Sequence, residues 1–192
     1  RQMCIRDRNN CGSMLQAFAL QQKLKDLGYD PTIIDFSSKG QRELYSIMPS
    51  FFLNGKFKKS QVKLWFLCIP YKKLLKKESL DYNYFIDKYF ILTKRKYLNN
   101  KSLCEETFKF DAYITGSDQV WNINCVDADD AYFLNFVKEG RKIAYATSLG
   151  ANDIKKTSSN PDKYVNFLKT FDYISVREKN AVSQITTLSN LS

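Results

Sequence analysis

The sequence predicts an α/β fold: a parallel sheet with flanking helices and a ligand cleft along one edge. Three observations predict it. Short apolar runs at 111–115, 142–147 and 173–176 each stop at small or polar residues, namely Gly116-Ser117-Asp118, Ser148-Leu149-Gly150 and Arg177-Glu178. An amphipathic stretch at 13–27 is stopped by Gly28 and followed by a strand-like run at 32–36, the helix-turn-strand half of a βαβ unit. A second helical pattern at 162–170 leads into the run at 173–176. In open α/β sheets ligands bind beyond the carboxyl ends of the strands, so the polar residues behind these three runs mark the cleft.

The elements follow in order. Residues 3–8 read poorly as a buried first strand, because the last three positions, Arg6, Asp7 and Arg8, are all charged. No signal peptide is read in residues 1–8. In the helix at 13–27 the apolar residues Leu15, Phe18, Ala19, Leu20, Leu24 and Leu27 recur at helical spacing. Residues 40–108 read as a mostly helical insertion, with 82–92 as one amphipathic helix or extended segment. Residues 132–137 suit a short helix or turn, and a helix starts at 181. With 192 residues, 44% hydrophobic and 26% charged, the chain is sized and composed for one globular domain.

Residue content narrows the chemistry. The chain has no histidine, which removes the usual general base and every Ser-His or Cys-His nucleophile pair from this stretch. Its five cysteines are odd in number and contain no CxxC pair, so free thiols are expected rather than a disulfide framework or zinc site. No metal is expected. Asp127, Asp129 and Asp130 lack EF-hand spacing and read as a solvated loop. The net charge is +10, and eight lysines with no acid fall within 54–77. This run reads either as a solvated face or as peripheral contact with an anionic membrane through Trp65, Phe66 and Leu67. Arginine is scarce there and no recognition-helix, RNP or zinc-finger pattern occurs, so nucleic acid is not expected as a partner. The apolar run 64–69, closed by Pro70, is far shorter than the roughly 20 residues that span a bilayer.

With these residues assembled, the chain resembles the polysaccharide pyruvyl transferase family. Asn10, Gly12, Leu15 and Gln16 match an Asn-x-Gly-x-x-Leu-Gln pattern. Residues 110–122 match Phe-Asp-x-x-Ile-x-Gly-Ser-Asp-Gln-Val-Trp-Asn. Tyr-Phe-Leu-x-Phe lies at 132–136, Ala-Tyr-Ala-x-Ser-x-Gly at 144–150 and Ile-Ser-Val-Arg-Glu at 174–178. The resemblance runs from about residue 9 to about residue 190, with little support in 40–100.

The resemblance implies a Rossmann-like domain, the N-terminal half of a GT-B-like two-domain architecture whose active site lies between the domains. It implies transfer of the enolpyruvyl-derived group of phosphoenolpyruvate onto sugar hydroxyls of a surface polysaccharide or lipid-linked oligosaccharide. Phosphoenolpyruvate is the donor substrate and no cofactor is expected. The location would be cytoplasmic, at or near the inner face of the membrane. A second domain, absent from this chain, would carry the histidine chemistry, and a foreign or truncated front at 3–8 would replace the family's first strand. Alone, the first domain is not expected to catalyse.

Two residues are the catalytic candidates. Asp118 would orient an acceptor hydroxyl or act as its base, and its structural alternative is a helix cap. Arg177 would hold the donor's carboxylate or phosphate with its fork, and its alternative is an ion pair with Glu178. The substrate-binding candidates are Asn10, Gly12, Ser13, Gln16, Gly116, Ser117, Gln119, Trp121, Asn122, Ser148 and Gly150. Trp121 reads either as a platform for a sugar face or as core. Two rival functions remain: a GT-B glycosyltransferase using a nucleotide sugar, and a membrane-surface scaffold module in polysaccharide synthesis.

Overall fold

A computed structural model describes residues 3–5, 11–44, 46–53, 56–57 and 59–189. β1 (Met3–Ile5), α1 (Cys11–Asp26) and β2 (Ile34–Phe36) form a parallel unit, with Met3 opposite Ile34 and Ile5 opposite Phe36. A strand therefore forms where the charge pattern argued against one. The apolar Met-Cys-Ile triplet makes it, and the charged residues follow it, outside the described residues.

Between β2 and the second group of strands come α2 (Lys39–Leu44), the antiparallel pair β3 (Phe52–Leu53) and β4 (Lys56–Phe57), and α3 (Lys59–Cys68). A 3-10 turn (Ile69–Tyr71) leads directly into α4 (Lys72–Tyr89), and α5 (Asn100–Cys104) closes the segment. Ile91 and Leu92 are not part of α4. They run along the outer side of β2, where Leu92 bridges Ile33 and Tyr97 bridges Phe36, both parallel.

β5 (Ala112–Thr115), β6 (Arg141–Thr147) and β7 (Tyr173–Val176) form a three-stranded parallel sheet in that spatial order. β1 lies beside β5. The 3-10 helix at Asp130–Phe133, α6 (Ile154–Thr157), α7 (Pro161–Leu168) and α8 (Lys179–Ser189) complete the fold. Asn160 caps α7 by accepting from Lys163 N–H, and Pro161 stands at the first helical position, where its missing donor costs nothing.

The main core is aromatic. Trp121 lies flat on Phe133, ring centroids 5.4 Å apart and 4° from parallel, and Phe36 meets Tyr132 edge-on at 5.9 Å. α1 turns its face differently from the apolar spacing. Met14, Ala17 and Gln21 are buried, whereas Leu15 and Leu27 are exposed. The reason is Gln21: its Nε2 donates to Tyr89 O and its Oε1 accepts from Ile91 N–H, both at 2.8 Å. A buried amide is tolerated because donor and acceptor are both engaged. At the far end Gly28 (φ +83°) ends α1 in a Schellman motif, with Tyr29 N–H on Leu24 O and Gly28 N–H on Lys25 O.

Candidate active site

The strands β5, β6 and β7 are parallel, so their carboxyl ends share one edge. There the segment 116–122 is laced to the segment after β6 by two backbone hydrogen bonds: Ser148 N–H donates to Asp118 O at 3.0 Å, and Trp121 N–H to Ser148 O at 3.2 Å. Gly116 (φ +125°) makes this approach possible. A Cβ there would sit 1.9 Å from Tyr145 O, inside contact distance. Tyr145 belongs to an irregular stretch of β6 in which the pairing with β7 shifts register between Ala144 and Thr147 and Ala146 adopts φ +48°. Such bulges re-aim side chains at sheet ends, here Thr147 and Ser148.

Two side-chain clusters grow from this frame. In the first, Ser13 Oγ in the opening turn of α1 donates to Asp118 Oδ2 at 2.9 Å, and Asp118 Oδ1 accepts from Gln119 N–H at 2.7 Å. Close to it, Asn122 Nδ2 donates to Gln119 Oε1 at 3.1 Å and Asn152 Nδ2 donates to Asn122 Oδ1. Gly150 (φ +64°) covers these amides, and a Cβ on it would meet Asn122 Nδ2 at 2.8 Å. In the second, Ser148 Oγ donates to Glu178 Oε1 at 2.6 Å and its oxygen accepts from Gly150 N–H at 3.0 Å. The same Glu178 oxygen accepts from Arg177 Nε at 3.2 Å. Glu178 Oε2 is buried without a partner among the described residues, while the Arg177 side chain is 44% exposed.

Two cavities are lined by none of the residues of these clusters. One of about 370 Å³ is bounded by Val120, Asp129, Phe133 and Tyr164. The larger, about 590 Å³, touches Ala112 and Arg141, where β5 and β6 begin, so it opens on the opposite edge of the sheet. Ligands of open parallel sheets bind beyond the carboxyl ends of the strands, the edge on which the hydrogen-bonded clusters lie.

A family model described as polysaccharide pyruvyl transferase matches residues 10–188, most of the chain. The chain belongs to the polysaccharide pyruvyl transferase family. No curated protein and no solved structure matches it. As a member of this pyruvyl transferase family it is a transferase of polysaccharide biosynthesis. Among the described residues no helix is long and apolar enough to cross a membrane.

The pyruvyl transferase edge gathers Ser13, Gly116, Ser117, Asp118, Gln119, Asn122, Ser148, Gly150 and Arg177 from the residues singled out by sequence. Gly12 and Gln16 are exposed on α1, and Gln16 does not enter the clusters. Asn10 lies outside the described residues. Trp121 is corrected from sugar platform to core: it is completely buried, stacked on Phe133, and its Nε1 donates to Tyr132 O at 3.1 Å. The acidic loop is also less solvated than expected. Asp129 caps the 3-10 helix through Ala131 N–H, and burial pushes the carboxyls of Asp127 and Asp129 up.

Two residues escaped the sequence reading as site members. Glu178 joins Ser148 to Arg177, and Asn152 completes the amide cluster. Cys11, at the start of α1, has its thiol 2.8 Å from Tyr82 Oη, a contact that pushes the buried phenol up to about 12. Glu178 had a signal: it follows a strand end, next to the arginine chosen, and one strand over from Ser148.

Proposed function

We propose that the carboxyl edge of β5, β6 and β7 holds phosphoenolpyruvate and a sugar hydroxyl, and that the protein makes a pyruvate ketal on a surface polysaccharide. The observation that supports this best is one carboxylate and one guanidinium on the same edge. Asp118 follows β5, Arg177 follows β7, and β6 lies between them. Adjacent strands are about 4.8 Å apart, so the two groups leave strands roughly 10 Å apart, room for a three-carbon phosphate donor.

The chemistry has three requirements. The acceptor hydroxyl oxygen bonds to the central carbon of the donor while its proton leaves. The donor's methylene carbon gains a proton and becomes a methyl. The bond from the central carbon to the phosphate oxygen then breaks, phosphate departs with the electron pair, and a second hydroxyl of the sugar takes its place to close the ketal. Asp118, oriented by Ser13, accepts the first proton. Arg177 holds the donor's carboxylate or phosphate and favours the charge that develops as phosphate leaves, with Glu178 fixing its Nε. In the GT-B arrangement that accompanies this reading, a second Rossmann-like domain faces the edge and supplies the carbon-protonating acid.

Thermal shift with phosphoenolpyruvate, and phosphate release in the presence of an acceptor sugar, test the reading on the full-length protein. Stabilisation by phosphoenolpyruvate that Arg177→Ala removes is the expected result. Stabilisation by nucleotide sugars and none by phosphoenolpyruvate would overturn it in favour of glycosyl transfer.

A further inference from the structure

The longest stretch of this chain with no role at the sheet edge is α3, the 3-10 turn and the start of α4. None of the residues of α3 or of the turn is buried. One side of α3 is half-covered, with Trp65 against Phe51 at 5.7 Å. The rest is open: Leu64, Phe66, Leu67, Ile69, Tyr71 and Leu74 are all exposed, Phe66 by 62% and Leu67 by 57%. Single exposed apolar residues are ordinary, but six within eleven positions make a patch that needs a partner.

The charge of the patch identifies that partner. Lys59, Lys63, Lys72, Lys73, Lys76 and Lys77 are exposed among these residues, and no acid occurs in the sequence between Glu43 and Glu78. None of the six has an ion-pair partner among the described residues. A second copy of the chain would bring six more lysines against these six, so a symmetric pairing repels itself. A polynucleotide would use the cations but not Leu64, Leu67 or Ile69. A surface with anionic headgroups over an apolar interior uses both, with lysine stems buried and their ammonium groups at the headgroups.

We infer that residues 59–77 dock the protein onto an anionic phospholipid bilayer. Phe66, Leu67 and Ile69 enter the headgroup boundary and the lysines pair with lipid phosphates. The docking is peripheral, since α3 is ten residues long and about 20 are needed to span. It does not depend on the pyruvyl transfer reading, because it is read by binding alone.

Cosedimentation of the full-length protein with phosphatidylglycerol-phosphatidylcholine vesicles, against pure phosphatidylcholine vesicles, tests it. The expected result is pelleting with the anionic vesicles only, lost near 1 M salt, where screening shortens to about 3 Å. Lys→Gln changes at 63, 72, 73 and 76 should weaken binding roughly fivefold each. Phe66→Ser with Leu67→Ser should weaken it about tenfold or more. All six positions are exposed, so melting temperatures should match the parent, and each comparison is made at a temperature where the circular dichroism of parent and variant agrees. Equal binding to neutral vesicles, no binding to either, or indifference to both sets of changes would overturn the inference. Concentration-dependent self-association abolished by Phe66→Ser and Leu67→Ser would overturn it in favour of a contact between copies.

Discussion

Ser13 Oγ donates to Asp118 Oδ2 at 2.9 Å, joining two residues 105 positions apart in the chain. One opens the first helix and the other follows the first strand of the three-stranded sheet. This bond fixes the carboxylate on which the proposed proton transfer depends, and it ties α1 to the segment after β5.

Replacing Asp118 by Asn keeps the shape and removes the proton acceptor. Phosphate release from phosphoenolpyruvate should fall about 10²- to 10⁴-fold with little change in melting temperature. Ser13→Ala removes the orienting bond to a charged group, and roughly tenfold is expected. A Ser13→Ala loss as large as that of Asp118→Asn would show that the hydroxyl does more than orient.

Arg177→Lys keeps the charge and loses the fork. The KM for phosphoenolpyruvate should rise about tenfold, with a smaller effect on kcat. Glu178→Gln acts partly through Arg177, so its effect should be smaller in an Arg177→Lys background, the remainder passing through Ser148. Additive losses in the double variant would separate the two residues.

Gly116→Ala tests the frame. Its Cβ would lie 1.9 Å from Tyr145 O at φ +125°, so the variant should lose about 3 kcal/mol or more in chemical denaturation. An unchanged denaturation midpoint would mean that the two segments do not approach as described.

The half-buried carboxyl of Asp129 gives a pH dependence of stability. Burial raises its folded pKa above the ordinary 3.8, so the folded chain holds the proton more tightly than the unfolded one. The resulting stabilisation is complete below the ordinary value and is lost as pH rises through the folded value. Asp129→Asn keeps an oxygen for Ala131 N–H and removes the charge. It should melt higher than the parent at neutral pH, the difference shrinking towards pH 4 and below, about where the parent's carboxyl is itself protonated. Melting curves across this range decide it, and a parent more stable than the variant at neutral pH would contradict the burial argument.

The sheet and its edge were legible in the chain because local signals agreed with the fold. The runs at 111–115, 142–147 and 173–176 each carry β-formers and each stop at a small or polar residue, and the structure pairs them as parallel neighbours. Three things were not legible. β1 is three residues long, too short for its apolar triplet to outweigh the charges after it. The buried face of α1 includes Gln21, whose burial depends on Tyr89 and Ile91, some 70 positions away. Trp121 follows a polar turn, and only the positions of Phe133 and Tyr132 reveal it as core.

The segment from 39 to 104 leaves the sheet after β2 and returns before β5, which suggests a cassette that can be exchanged between related proteins. Its attachment says otherwise. Gln21 holds Tyr89 O at the end of α4 and Ile91 N–H just beyond it, Tyr82 touches Cys11, and Tyr97 runs beside Phe36. A graft would have to preserve these contacts with α1 and β2, so the segment is structurally tied to the helix that holds Ser13.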